Sequence, residues 1–167
     1  MVYDAESGRV VLFGGYSGFD RLNDTWSYDL DTNEWIAMQS SPARPSARMS
    51  HAMGYDAQLD RVVLFGGDAG SQSGGGDTWW YDFDLDAWTQ ATPKASPSAR
   101  FWHGMTYDAK SARLVLFGGS SGDDETWSYP QSSLSVSPAR PNCSGRSPVI
   151  ETSSSHGALR STTADRP

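Results

Sequence analysis

The sequence lacks several features that would place it in common protein classes. Its single cysteine, Cys143, excludes an internal disulfide. It has no apolar run approaching the roughly 20 residues that a membrane-spanning helix needs, and its first residues do not resemble a secretory signal. Lys and Arg form no concentrated stripe, and 20 acidic residues outnumber 13 basic ones. We therefore expect neither a membrane segment nor a nucleic-acid ligand, and the compartment stays open.

Aromatic residues are absent from the last part of the chain. All 7 Trp, 7 Tyr and 6 Phe lie between Tyr3 and Tyr129. The acidic excess lies in the same part, whereas residues 130–167 are rich in Ser, Pro and Arg and show no periodicity. A segment of that composition cannot bury enough apolar surface to fold. We predict a folded region at residues 1–129 and a disordered tail at residues 130–167.

A repeat dominates the aromatic-rich part. The string VLFGG begins at residues 11, 63 and 115, so successive copies are 52 residues apart. In the second copy, alternation of small and large residues predicts a strand at 50–56, and an apolar run predicts a strand covered on both faces at 61–65. The glycine pair after that run is expected to end it. Alternating aromatics predict a third strand at 77–83, and Trp88 marks a short fourth strand. Four short strands per unit of this length indicate the blade of a β-propeller.

The repeat resembles the kelch family. The kelch signature is a Gly-Gly doublet after the second strand, then a Tyr, and then a Trp. It is present twice in full, as Gly14-Gly15, Tyr28 and Trp35 and as Gly66-Gly67, Tyr81 and Trp88. The third copy has Gly118-Gly119 and Tyr129 but continues with Pro130, and no Trp follows. The resemblance implies an all-β, kelch-type β-propeller similar to the central domain of galactose oxidase.

The number of blades is small for a closed ring. We expect about two and three-quarter four-stranded blades, at residues 1–41, 42–93 and, incomplete, 94–129. Propellers typically close with 4–8 blades. Three alternatives follow: the chain is a fragment of a larger propeller, two copies self-associate to complete a ring, or a partner chain closes it. Natural propellers usually complete their own ring, which favours the fragment.

Two Arg-x-x-His pairs are the first candidates for function. Arg48 with His51 and Arg100 with His103 recur at the repeat period. A catalytic group is needed once, whereas a structural group is needed in every blade, so recurrence favours a structural role. A ligand-binding role stays open for Arg48 and Arg100, because loops before the first strand face one end of a propeller near its axis. Arginine there binds carboxylates with two parallel hydrogen bonds.

Aromatic residues on loops are the second set of candidates. Tyr16, Phe19 and Trp102 lie between predicted strands, where they could stack on sugar rings or anchor a peptide. Trp102 stands where the previous copy has Ser50, so the repeat itself does not require it. We predict a non-catalytic interaction module that binds a protein or a carbohydrate through its loop face. The alternative is part of a propeller enzyme, an oxidase or a glycan-acting enzyme, whose catalytic residues lie in missing blades.

No catalytic residue, metal or cofactor is predicted. The turns at 29–35 and 82–88 space carboxylates as calcium loops do, but they lack the Gly and Glu that an EF-hand needs at its sixth and twelfth positions. The copper-radical oxidases among kelch-like propellers need a Cys bonded to a Tyr, and Cys143 lies in the predicted tail.

Overall fold

The computed structural model describes residues 1–39, 42–70, 75–122 and 124–129. The predicted tail at 130–167 lies outside the described residues. Among the described residues, no helix is long and apolar enough to cross a bilayer. Regular structure consists of strands: β1 (Val2–Asp4), β2 (Arg9–Tyr16), β3 (Arg21–Asp29), β4 (Glu34–Met38), β5 (Ala52–Asp56), β6 (Arg61–Phe65), β7 (Thr78–Asp82), β8 (Ala87–Ala91), β9 (Gly104–Asp108), β10 (Arg113–Phe117) and β11 (Thr126–Tyr129).

The strands form three separate antiparallel sheets, which we call blades one, two and three. Blade one has the order β1-β2-β3-β4 and blade two the order β5-β6-β7-β8, whereas blade three has three strands in the order β9-β10-β11. Each strand pairs with the next along the chain, so each blade is a simple meander. The predicted all-β propeller architecture is confirmed.

The apolar second strands lie at the centre of the packing. In β6, Val62, Val63 and Leu64 are all buried, because neighbouring blades cover both faces of the sheet. One core cluster joins blades one and two; its members are Val11, Phe13, Met53, Val62, Leu64, Tyr81 and Trp88. Each side chain of this kind contributes about 1.5–3 kcal/mol on burial. Contact between blades therefore supplies much of the stability of each blade.

The strand bounds differ from the prediction at a few ends. β5 begins at Ala52 rather than at 50, because Ser50 has a left-handed backbone with φ 56°. β7 is one residue shorter at each end than predicted. In blade one the glycine pair does not end the second strand: β2 continues to Tyr16, with a register shift between Phe13 and Gly15.

The glycine pairs fasten each blade to the next. The amide of Gly15 donates to the carbonyl of Arg48 at 2.9 Å, and the amide of Gly67 donates to the carbonyl of Arg100 at the same distance. The first residue of the pair also has to lack a side chain. A Cβ on Gly66, whose φ is +63°, would lie 2.5 Å from the Arg100 carbonyl oxygen. The doublet therefore permits a backbone contact that any other residue would obstruct.

A small residue in a first strand allows the sheets to approach. A Cβ on Gly54 in β5 would lie 2.4 Å from Cδ2 of Leu114 and 3.2 Å from the sulfur of Met105. Blade three thus packs directly against the backbone of blade two. The absence of a side chain at Gly54 therefore permits close packing of these two sheets.

Candidate ligand-binding face

One end of the blades carries all the sequence-predicted site residues. Gly104, at the start of β9, pairs with Phe117, at the end of β10. The segments before the first strands and after the second strands therefore lie at the same end. The hydrogen bonds between glycine pairs and arginine carbonyls join these segments from blade to blade. We call this end the loop face.

Arg48 is held inside the structure. Only 2% of it is exposed. Nη1 and Nη2 donate to the two carboxylate oxygens of Asp77 at 2.7 and 2.8 Å, and Nη1 also donates to the carbonyl of Gly66 at 2.8 Å. The remaining donors bind Ser46, through its carbonyl and its hydroxyl, at 3.0 Å each. The guanidinium thus ties the loop before β5 to the segment after β6.

Arg100 repeats this arrangement in blade three, with 0% exposure. Its Nη1 donates to the carbonyl of Gly118 at 3.1 Å, and its other nitrogens bind the carbonyl and hydroxyl of Ser98. The proposed ligand-contacting role of Arg48 and Arg100 does not fit this geometry, because both guanidinium groups are buried and engaged within their own blades. Their recurrence reflects the structural role that was weighed beside it.

The two histidines are also packing residues. The ring of His51 lies 5.8 Å from that of Phe13, edge to face, and His103 makes the same contact with Phe65 at 5.5 Å. Each pair joins neighbouring blades. Burial, with the nearby charge of Arg48, lowers the pKa of His51 to about 4. Burial and the charge of Arg100 lower the pKa of His103 to about 4, so both rings are neutral at neutral pH.

Asp77 is the acid that the sequence pattern did not single out. Burial raises its pKa, but hydrogen bonds from Arg48 and Trp79 and the arginine charge outweigh that effect, so the net pKa is lowered. The indole of Trp79 donates to the same carboxylate at 2.7 Å. The Trp26 indole likewise binds Asp24. The recurring Asp-Thr-Trp triplet is the signal that could have identified this acid.

Trp102 is the most unusual residue on the loop face. Its side chain is 76% exposed although it is a large apolar group. Its φ of 59° lies in the left-handed region, which bulky residues rarely adopt. The ring contacts Phe101 edge to face at 4.8 Å. Ser50 has the same backbone conformation at the equivalent position of blade two, so the repeat imposes this strain. The indole is not needed for packing, because it is exposed.

A backbone hydrogen bond places Trp102 close to the propeller axis. The amide of Trp102 donates to the carbonyl of Ser50 at 3.0 Å. The two residues occupy the same position in successive blades, and blades are related by rotation about a common axis. Equivalent residues can be in direct contact only where that axis is near. Trp102 therefore lies on the loop face, close to the axis about which the blades are arranged.

Tyr16 ends β2, and Phe19 lies on the loop between β2 and β3 of blade one. Phe19 is 90% exposed and Tyr16 is 54% exposed. Phe19 occupies the tip of a tight turn in which the Ser17 hydroxyl accepts from the Asp20 amide at 3.1 Å and the Ser17 amide donates to the Asp20 carbonyl. The turn therefore presents the phenyl ring to solvent on an ordered backbone.

A salt bridge joins the loops of blades one and two at this face. Nη2 of Arg21 lies 2.8 Å from a carboxylate oxygen of Asp68, and Nε donates to the Asp68 carbonyl at 3.1 Å. The Arg21 hydrogen bond lowers the pKa of Asp68. The sequence analysis did not identify this pair, which stiffens the base of the loop that carries Phe19.

The described residues contain no group of three or more His, Cys, Asp or Glu side chains arranged to hold a metal ion. The loop face consists instead of exposed aromatic rings above a buried network of arginine and backbone hydrogen bonds. Such a surface is suited to recognition, because loops on a rigid scaffold carry the contacts.

Comparison with known proteins agrees with the blade architecture. A family model described as the KLHDC2/KLHL20/DRC7 Kelch-repeats domain matches residues 1–119. The chain belongs to the kelch-repeat family. The kelch match includes both complete signatures and the glycine pair of the third.

Several curated proteins are similar to this kelch chain over part of their length. Mei4-dependent protein 6 of Schizosaccharomyces pombe is 29% identical over 136 residues, which cover 75% of this chain and 19% of that protein. Dynein regulatory complex subunit 7 of Chlamydomonas reinhardtii is 30% identical over 119 residues, 66% of this chain and 10% of that protein. Kelch domain-containing protein 2 of Bos taurus is 26% identical over 111 residues, which cover 66% of this chain and 27% of that protein. The chain thus spans less than a third of each relative.

Proposed function

We propose that these blades form a non-catalytic interaction module that binds a protein partner through the loop face. The observation that carries the proposal is Trp102, whose indole is exposed on the loop face and whose backbone is strained. Large aromatic side chains dominate the binding energy of many protein interfaces, because they bury much area with little loss of conformational entropy. Phe19 and Tyr16 supply further apolar surface on the same face.

The relatives support a protein partner. One of them is named as a subunit of the dynein regulatory complex, which is an assembly of proteins. A carbohydrate ligand uses similar aromatic surfaces, so it is the competing outcome in the test below.

We further propose that the blades belong to a larger ring. The exposed side of blade three supports this: among the described residues, a Cβ on Gly104 or Gly118 would meet nothing within 4 Å. Of the equivalent residues of blade two, Ala52 is buried and Gly66 is in tight contact with Arg100 and His103 of blade three. Sedimentation of the chain distinguishes completion by a second copy, which gives a defined oligomer, from blades of a larger chain, which do not.

The experiment compares Trp102→Ser with Leu85→Ser. Serine is the residue that blade two has at the equivalent position, so the first change keeps the fold. Leu85 is a matched control because it is 74% exposed and lies in the β7–β8 turn at the opposite end of blade two. Peptides are selected from a displayed library on the unmodified chain, and a glycan array is probed in parallel.

We expect the selected peptides to bind Trp102→Ser at least about tenfold more weakly and Leu85→Ser with unchanged affinity. Equal binding to all three proteins would refute the loop-face assignment. Trp102-dependent binding to glycans without any peptide ligand would show that the partner is a carbohydrate and that the protein assignment is wrong.

A further inference from the structure

Two histidines directly follow the two residues that meet near the propeller axis. His51 comes after Ser50, and His103 comes after Trp102. The amide of Trp102 donates to the carbonyl of Ser50 at 3.0 Å, and this hydrogen bond joins blade three to blade two on the loop face. A displacement of either histidine would therefore also displace the backbone that positions Trp102.

His103 is enclosed between blades two and three. It is 7% exposed, and its ring lies edge to face 5.5 Å from that of Phe65 in blade two. A Cβ on Gly66 of blade two would lie 3.1 Å from its Cε1 atom. A Cβ on Gly119 of blade three would lie 3.0 Å from its own Cβ atom. The ring therefore cannot move aside unless the contact between the two blades opens.

His51 occupies the equivalent place between blades one and two. Its ring lies edge to face 5.8 Å from that of Phe13 in blade one. Its backbone packs on the glycine pair of its own blade, since a Cβ on Gly67 would lie 2.7 Å from the His51 Cβ atom. Each of the two contacts between neighbouring blades thus contains an imidazole ring on the loop face.

The surroundings of His51 do not favour a charge on its ring. Its Nδ1 atom has no hydrogen-bond partner among the described residues. The charged groups that act on it come from all three blades and are positive: the Met1 amino group, the guanidinium of Arg48 and the ring of His103 when that is protonated. A proton on His51 would therefore be repelled from every side.

The surroundings of His103 are similar. Neither of its ring nitrogens has a hydrogen-bond partner in the described part of the chain. Arg100 is the charged group that acts on it, and only the backbone of Phe65 favours its protonated form. No carboxylate of the described residues perturbs the pKa of this ring or of His51. A proton on either ring would place an unpaired charge inside a contact between blades, which is strongly unfavourable.

Protonation is favourable only when the loop has left the contact and the ring lies in water. The pKa of each histidine is 6.5 in water and about 4 in the closed structure. Between these values each proton taken up makes opening about tenfold more favourable for every pH unit that the solution becomes more acidic. Opening of a loop also costs less free energy than unfolding of the whole chain. The loops therefore open before the blades unfold.

We propose that the loop face is an acid-sensitive binding surface. In mildly acidic solution His51 and His103 take up protons, and the loops that carry Ser50 and Trp102 leave the contacts between blades. A partner bound at Trp102 is then released. The release rests on the proposed function above, whereas the opening of the loops does not.

Hydrogen exchange of the full chain, measured by NMR, tests the opening without any ligand. The probe is the amide of Trp102, which is protected by its hydrogen bond to the Ser50 carbonyl. We expect its protection factor to fall at least about tenfold from pH 6.5 to about pH 5. The amides of the buried strand β6 report unfolding of the whole chain. At both pH values we expect their protection factors to be at least about tenfold higher than that of Trp102.

Replacement of the histidines identifies the groups that take up the protons. In the double variant His51→Gln with His103→Gln, the protection factor of Trp102 should change by less than about twofold over the same interval. His156→Gln is the control, because His156 is the remaining histidine of the chain and lies outside the described residues. It should behave as the unmodified chain does. If the double variant does not fold, the comparison of the Trp102 and β6 amides in the unmodified chain decides the question.

Peptides selected on the unmodified chain test the release of a partner. Fluorescence anisotropy should show at least about threefold weaker binding at pH 5 than at pH 7, and the double variant should bind equally at both values. Absence of any peptide ligand would refute the release together with the proposed function, while hydrogen exchange still decides whether the loops open.

Three exchange results would overturn the proposal. The first is a protection factor of Trp102 that does not change with pH. The second is the same change in the double variant as in the unmodified chain. The third is equal protection of the Trp102 and β6 amides, which would mean that acid acts only by unfolding the whole chain.

Discussion

The amide of Gly67 donates to the carbonyl of Arg100 at 2.9 Å, and the side chain of Arg100 in turn donates to the carbonyl of Gly118. Arg100 therefore makes two connections. Its backbone carbonyl binds the preceding blade, and its guanidinium binds the segment after the second strand of its own blade. Arg48 makes the same two connections, with Gly15 and Gly66. The repeat motif thus connects the three blades through an alternating series of backbone and side-chain hydrogen bonds.

The contact between the glycine pair and the next blade can be measured with Gly66→Ala and Gly118→Ala. Both glycines have positive φ, 63° and 75°, so both changes carry a similar conformational cost of about 1–2 kcal/mol. Only the Cβ at residue 66 would collide with a carbonyl of the next blade. We expect Gly66→Ala to lower the free energy of unfolding by at least about 2 kcal/mol more than Gly118→Ala, measured by urea denaturation. Equal losses would show that the close approach is unimportant.

The approach of blades two and three can be tested with Gly54→Ala. The added methyl would overlap Leu114, and overpacking of this kind costs about 1–3 kcal/mol. Gly104→Ala places a methyl in the first strand of blade three, at the position where blade two has Ala52, and no described residue lies within 4 Å of it. We expect this control to be neutral or slightly stabilising, because alanine reduces the entropy of the unfolded chain. Thermal unfolding compares the two, and a destabilised control with an unaffected Gly54→Ala would contradict the packing.

The ion pair of Arg48 and Asp77 is expected to stabilise blade two. Asp77→Asn leaves the buried guanidinium without its countercharge, and we expect a loss of about 2–4 kcal/mol, somewhat below the range for a pair that is buried on both sides. Asp68→Asn removes the partner of Arg21 in a more exposed pair and should cost about 1 kcal/mol or less. Urea denaturation of both variants gives the comparison. A smaller loss for Asp77→Asn than for Asp68→Asn would argue against the structural role of Arg48.

Stability should fall in mildly acidic solution because of the buried histidines. The pKa values of His51 and His103 are lowered from 6.5 to about 4, so between these values the unfolded chain binds more protons than the folded chain. The stability that they contribute is present above pH 6.5 and is lost as the pH falls towards 4. The loss is on the order of 1–3 kcal/mol for each histidine.

His103→Gln removes one of these titrations, so its unfolding free energy should depend less steeply on pH over that interval. Urea denaturation at several pH values measures the slope. A slope identical to that of the unmodified chain would mean that His103 does not contribute. Carboxylates such as Asp77 act at lower pH, because their pKa values start near 3.8 and are lowered further.

The sequence predicted the strands well because the signals for them are local. The apolar run at 61–65 matches β6 residue for residue, and the alternation in the third strand places β7 within one residue at each end. Ser50 was wrongly included in a strand, since nothing in the local pattern reveals its left-handed backbone. The Ser50 carbonyl accepts a hydrogen bond from the amide of Trp102 in blade three, 52 residues away, which the local pattern does not show.

Contacts between residues far apart in the sequence were the part that the pattern could not reveal. Arg48 and Asp77 are 29 residues apart, and Arg21 and Asp68 are 47 apart, so neither pair follows from periodicity along one strand. Arginine is seldom buried, which made Arg48 and Arg100 plausible surface residues. The serine two positions before each arginine, which binds its guanidinium in both blades, is the local sign of burial that the sequence contained.

Position 102 combines a fixed backbone with a replaceable side chain. The left-handed conformation belongs to the repeat, as Ser50 shows, so most unbranched residues at this position would carry the same strain. Natural selection can therefore exchange the side chain at this position with little further cost in stability. A combinatorial library randomised at residues 50 and 102 should leave the scaffold intact, which makes these positions a natural starting point for engineering new binding specificities.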